Sequence, residues 1–355
     1  MTAQAMTKSL QGRMETRQFT IRFVTPAFLG NAEQDGQWRA PPFKHLLREW
    51  WRVAWAEANG FSNDYRSLRE QEGALFGTAA DGSGNRSRVR LRLDKWSTGK
   101  LRRSEWNEIG KVSHPEVGRS VGADLYLGFG PLTYDRQSRR TALKTNAAIQ
   151  AGEQATLRLA FPTADAVLLD RALFLIDAFG TLGGRSRNGW GSVSLAGDLP
   201  DGKYPLRDWR ECLDRDWPHA IGKDGKGVPL IWRIGPFDDW WRLMRQLAEI
   251  KIGLRTQFAF RSGKKASRPE SRHWLSHPVT HHNVEPWKQG RLPNSLRFKV
   301  VRDANGRLHG RIFHVPCLPP GQFEPDRQAI ERVWQQVHDY LDGYLDGRLR
   351  REEGV

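Results

Sequence analysis

The segment FGTLGGRSRNGWGS, Phe179 to Ser192, constrains the fold of this chain more than any other stretch. It holds Gly180, Gly183, Gly184, Gly189 and Gly191, interleaved with Arg185, Ser186, Arg187 and Asn188. Glycine lets a backbone take positive φ and approach a ligand closely, so exposed amides can face an anion while the two arginines supply charge. The natural ligand is a phosphate backbone; an ordinary flexible connector is the alternative, and the arginines weigh against it. Before the segment, Leu168, Leu169, Ala172, Leu173, Leu175 and Ile176 give the periodicity of a helix over Ala166 to Phe179. After it, Val193 to Leu195 reads as a short strand. Lacking a Gly-Lys-Ser/Thr ending, the segment is not a P-loop, and following a helix it is not the strand-first GxGxxG of dinucleotide folds.

Charge points the same way. Fifty-six Lys and Arg against 40 Asp and Glu give a net charge of +16 and an isoelectric point near 10.2, which favours a polyanionic partner. Most of the cations are Arg, suited to bidentate phosphate contact and to stacking on bases. No apolar run reaches the roughly 18 residues of a membrane span, so no membrane partner is expected. Cys212 and Cys317 are too few for a disulfide framework or a cysteine zinc site. The first residues lack the apolar core of a secretion signal, and a cytoplasmic location is expected. At 355 residues the length suggests two domains.

In RQFTIRFV, Arg17 to Val24, Phe19, Ile21 and Phe23 alternate with polar positions, as a half-buried strand requires. Pro41-Pro42 then opens an amphipathic helix whose apolar face is Phe43, Leu46, Leu47, Trp50, Trp51 and Ala54. Lys44, Arg48 and Arg52, four apart, form a basic stripe on its flank that faces either solvent or phosphates. In NRSRVRLRLDKW, Val89, Leu91 and Leu93 alternate with Arg88, Arg90 and Arg92, which predicts a strand offering three guanidinium groups on one face. Further strands are expected at Leu125 to Phe129 and Ala155 to Phe161. A looser Gly, Pro and Asp-rich stretch, Gly197 to Gly227, joins the halves. The second half begins with apolar Val228 to Ile234 and an Asp-started helix at Asp238 to Ile250. Strands at Leu296 to Val301 and Gly310 to Val315 flank the turn signal Asp303, Asn305, Gly306, and a helix from Gln328 closes the chain.

These residues also carry a resemblance. FGTLGGRSRNGWGS is similar to the glycine-rich loop of RAMP superfamily proteins, with Asn188 where Arg is frequent. VTPAFLGNAEQDGQWRAPPFKHLLREWWR resembles the opening of the first-named subunit of type III-B (Cmr-type) CRISPR effector complexes. ALFG at 74–77, YLGFG at 126–130, AIQAGEQATLRL at 148–159 and RLPNSLRFKVVRDANGRLHGRIFHVPC at 291–317 follow in the family's order. The resemblance implies an α+β fold of two ferredoxin-like, RRM-like domains, over residues 17–200 and 225–350, with insertions and the glycine-rich loop. It implies a subunit that binds guide RNA near its 3′ end, or target RNA, beside other RAMP subunits in antiviral defence. The expected contacts are Lys44, Arg48, Arg52, Arg88, Arg90, Arg92, Gly183, Gly184, Arg185, Ser186, Arg187, Asn188, Gly189 and Gly191.

Some relatives cleave guide precursors without metal through a histidine. His45, on the basic helix, is the residue such chemistry would use, but no partner is visible, and a non-catalytic subunit with no cofactor is expected. A general RNA-binding adaptor is the remaining alternative. His273, His277, His281 and His282 lack a nearby Cys, and Pro278 breaks the helix that would align them, so a polar loop is expected rather than a metal site.

Overall fold

A computed structural model of the chain describes residues 13–33, 35–79 and 84–352. The chain forms two compact units, neither continuous in sequence. The first takes the residues up to Trp106, then Leu143–Ser186 and Trp190–Pro205; the second takes Asn107–Ala142, Arg187–Gly189 and the residues from Leu206 on.

The first unit is built from β1 (Met14–Phe23), α1 (Ala40–Ala58), α2 (Tyr65–Phe76), β2 (Arg90–Leu93), β3 (Gln154–Pro162), α3 (Ala166–Phe179) and β4 (Val193–Ala196). Its sheet has the order β4-β1-β3-β2, every neighbouring pair antiparallel. Alternation decides what each face carries. Phe19, Ile21, Phe23, Leu157, Leu159, Phe161, Val193 and Leu195 are buried under α1 and α3, where Trp50 stacks on Phe179 at 5.6 Å between ring centroids. Prolines in the first turn start α1, because their missing N–H groups have no intrahelical acceptor there.

The second unit repeats this order with β5 (Ile231–Phe237), α4 (Trp240–Thr256), β6 (Leu296–Arg302), β7 (Leu308–His314), α5 (Arg327–Asp342) and β8 (Arg350–Arg351). Its sheet runs β6-β7-β5-β8, again antiparallel throughout. Both four-stranded sheets therefore arrange their strands, counted along the chain, in the spatial order fourth, first, third, second. The carboxylates of Asp239 and Asp326 accept from the amides of Arg242 and Ala329 and cap α4 and α5. The β6–β7 turn closes as its sequence predicts: Asp303 Oδ1 accepts from the amides of Asn305 and Arg307.

Three local expectations change. Leu125 to Phe129 is not a strand; Ala123–Gly128 is a short helix, in which Ala123 and Leu127, four apart, are buried together. The β2 strand is shorter than its alternation suggests and begins at Arg90, leaving Arg88 outside it. The stretch 197–227 is not merely a linker, because Trp209, Cys212, Leu213 and Ile221 are core residues of the second unit. Burial pushes the thiols of Cys212 and Cys317 up to about 12 and about 11, so both are protonated at neutral pH. Among the described residues no helix is long and apolar enough to cross a membrane.

Candidate nucleic-acid interface

The outward face of the first unit's sheet carries Thr16, Gln18, Thr20 and Arg22 on β1, Thr156, Arg158 and Ala160 on β3, and Arg90 and Arg92 on β2. Register brings these side chains together: Arg92 lies directly opposite Arg158, Arg158 opposite Gln18, and Ala160 between Arg90 and Thr16. The small Ala160 leaves a hollow of about 390 Å³, walled by Arg90, Arg92, Arg158, Thr16 and Gln18. Arg158 Nε donates to Gln18 Oε1 at 2.9 Å, which orients its guanidinium. Like charges opposite one another across strands repel, and among the described residues no carboxylate forms an ion pair with Arg90, Arg92 or Arg158. An anion in the hollow relieves that repulsion.

The basic stripe of α1 has partners within its own unit. Arg48 Nε and Arg52 Nε reach the same oxygen of Glu72 on α2, at 2.7 and 2.5 Å. Glu72 is 5% exposed; burial alone would raise its carboxyl, but the hydrogen bonds from Arg48 and Arg52 hold it below its ordinary value. Lys44 donates to Ser87 Oγ at 2.6 Å, and desolvation, with Arg48 nearby, lowers its ammonium pKa. Arg88 pairs with Asp165 at 3.6 Å. These four cations thus already have partners within their own unit, whereas Arg90 and Arg92 stand on the open face.

The glycine-rich loop is shaped by its own chain. Gly183 has φ +95°, and a Cβ there would sit 2.7 Å from Phe28 O; a Cβ at Gly191, φ +62°, would collide with the Leu182 carbonyl. The amides of Leu182, Gly184, Ser186 and Gly191 donate to Gly191 O, Phe28 O, Gly183 O and Pro26 O. Within the second unit, Arg187 O accepts from Phe298 N at 3.0 Å and Arg187 Nη1 donates to Asn294 O. The Asn188 amide donates to Leu127 O at 2.6 Å and accepts from buried Lys251; Gly189 lies against Met244. Arg185 is the exposed cation of the loop.

The family model of the RAMP superfamily matches residues 20–194, from β1 to β4, and takes in both the arginine-lined sheet and the glycine-rich loop. The chain belongs to the RAMP superfamily. Among solved structures, apo Cmr1 from Pyrococcus furiosus shares 15% identity over 95% of this chain and 98% of that one, with a TM-score of 0.44. Two cryo-EM structures of the type III-B Cmr-beta also match. One, bound to cognate target RNA and AMPPnP in the presence of single-stranded DNA, contains a chain 11% identical over 90% of this chain and 99% of its own, TM-score 0.43. The other, bound to cognate target RNA, has one 10% identical over 91% and 99%, TM-score 0.42. No curated protein matches the chain in sequence.

His45, the histidine of this RAMP chain to which chemistry on RNA would fall, is exposed on α1, and no hydrogen bond ties it to a second acid or base among the described residues. In the later histidine cluster the ring nitrogens of His273 and His277 serve the scaffold. His273 accepts from Glu270 N and contacts His282 O; His277 contacts Gly290 O and accepts from Val284 N. No group of three metal-ligating side chains occurs among the described residues. Arg158 and Gln18 were not singled out from sequence. The signal for Arg158 is the alternation of Gln154, Thr156 and Arg158 with Ala155, Leu157 and Leu159, and that for Gln18 its place beside Phe19 in the alternation of β1, but only strand pairing sets Arg158 between Arg92 and Gln18.

Proposed function

We propose that this RAMP protein is a non-catalytic RNA-binding subunit of a type III CRISPR effector complex, of the Cmr type, engaging guide or target RNA beside other RAMP subunits. The strand order of each sheet supports reading the two units as two ferredoxin-like, RRM-like domains. The observation that carries the RNA-binding reading is the outward sheet face, where Arg90, Arg92 and Arg158 converge on a hollow without a carboxylate in ion-pair contact among the described residues. Unpaired guanidinium groups around a concave surface suit phosphate oxygens. The net charge of +16 adds long-range attraction. Lone His45, without a positioned partner, supports a binding role, with target cleavage left to a sibling subunit.

Purification of the native particle with its RNA tests this reading. Guide RNA should copurify with the chain, and the isolated chain should leave repeat-containing RNA intact in EDTA. His45→Ala should leave RNA cleavage by the assembled complex at the parental level. Cleavage of the repeat RNA that is abolished by His45→Ala would instead make the protein a guide-precursor ribonuclease.

A further inference from the structure

Trp96 is 64% exposed, the most exposed tryptophan among the described residues. An indole left in water forgoes a large burial gain, and its location is specific. Past the end of β2 the pairing with β3 continues: Asp94 N donates to Thr156 O, Thr156 N to Asp94 Oδ1, and Lys95 Nζ to Gln154 O at 2.5 Å. Arg90, Arg92, Asp94 and Trp96 therefore succeed one another at every second position along one edge of the sheet. The backbone of Trp96 is fixed there, because its carbonyl accepts from Gln37 Nε2 and the next carbonyl, of Ser97, from Trp38 N.

We propose that this edge is a subsite for an unpaired RNA strand, with one nucleotide in the Ala160 hollow, its phosphate on Arg90, Arg92 and Arg158, and a neighbouring base stacked on Trp96. The inference rests on the RNA-binding reading and adds strandedness and residues to it. The hollow's volume of about 390 Å³ falls at the small end of ligand pockets, which suits one nucleotide rather than a duplex groove. Charge complementarity selects a polyanion, and an exposed aromatic ring four residues beyond Arg92 on the same edge selects one with accessible bases. Bases in a duplex are already stacked and cannot reach Trp96.

The test uses the full chain, a fluorescein-labelled single-stranded oligoadenylate, a duplex RNA of equal length, and a polyglutamate peptide. The parent should bind the single strand more tightly than either competitor. Trp96→Ala should weaken single-strand binding by about tenfold while leaving duplex binding unchanged, and Trp96→Phe should restore most of the loss. Ala160→Glu, which places a carboxylate among the three arginines at a surface position, should weaken it by at least as much. Each variant should melt with the parent. A parent that binds no RNA at moderate salt refutes the RNA-binding reading itself. A parent that binds RNA, with Trp96→Ala and Ala160→Glu both indifferent, overturns this subsite alone and returns the RNA to the glycine-rich loop. Preference for polyglutamate overturns it in favour of an acidic protein partner.

Discussion

At the level of single residues the glycine-rich loop separates two jobs that its sequence runs together. Gly183 and Gly191 are there because carbonyl groups of Phe28 and Leu182 occupy the space a side chain would need, and of the loop's two arginines Arg185 is the exposed one and Arg187 the half-buried one. Gly191→Ala should therefore destabilise the protein by about 2 to 5 kcal/mol, from the left-handed backbone and the collision together, as measured by urea denaturation. Arg185→Ala should stay within about 0.5 kcal/mol of the parent and weaken RNA binding. Arg187→Ala should fall between, because its side chain also satisfies Asn294 O. Equal stability of Gly191→Ala and parent would show that the loop is not held by these close approaches.

Among the elements, the basic residues of α1 are held in contacts within the unit whereas those of the first sheet stand on an open face. Glu72 ties α2 to α1 through Arg48 and Arg52. Glu72→Ala should cost about 1 to 3 kcal/mol, read as a lower urea midpoint. Since both guanidinium groups keep substantial exposure, at 39% and 41%, water takes over much of their solvation, and the loss should stay well short of that for a fully buried ion pair. RNA affinity should hardly change. The sheet behaves oppositely: replacing Arg90, Arg92 and Arg158 by Ala should leave the melting curve near the parent's. It should also lower the slope of log affinity against log salt by about 2, at about 0.7 per released phosphate contact. An unchanged slope would place the RNA elsewhere.

For the whole molecule, acid should act unevenly. Of the ten histidines only His45 lies in the first unit; the other nine are in the second. There His338 and His314 are buried in contact at 3.0 Å, with His314 also meeting Ser295 Oγ at 3.0 Å. Burial, with Arg351 and Arg210 nearby, drives His338 down to about 3, and burial lowers His219 to about 4. Burial and then His338 hold His314 well below its ordinary value. An unfolded histidine takes up its proton near pH 6.5, whereas these folded ones resist it. Their contribution is complete above about pH 6.5 and is lost as pH falls from there towards 4 and 3. Hydrogen exchange at pH 7 and pH 5, corrected for intrinsic rates, should show α5 and β7 losing protection while β1 and β3 keep theirs. Equal loss in both units would contradict this.

The alternation of RQFTIRFV and ATLRLAF, the apolar stripe of Ala166 to Phe179 and the Asp303-Asn305-Gly306 turn are local periods and local hydrogen bonds, so they were legible in the sequence, as was the excess of positive charge. Helix and strand periods also settle which face of each element is apolar. They do not settle which strands become neighbours. Arg92 faces Arg158, Glu72 captures Arg48 and Arg52, and residues 107–142 and 187–189 join the second unit only because chain segments distant in sequence pack together. Pairing of that kind is fixed by the summed burial of whole sheet and helix faces, a quantity no short window contains. The same packing made a helix of Ala123–Gly128 where a strand was expected over Leu125 to Phe129, and drew Asn188 towards Leu127 and Lys251. The arginines of the proposed RNA-binding face were thus written in the sequence, and their convergence on one hollow was decided by the tertiary structure.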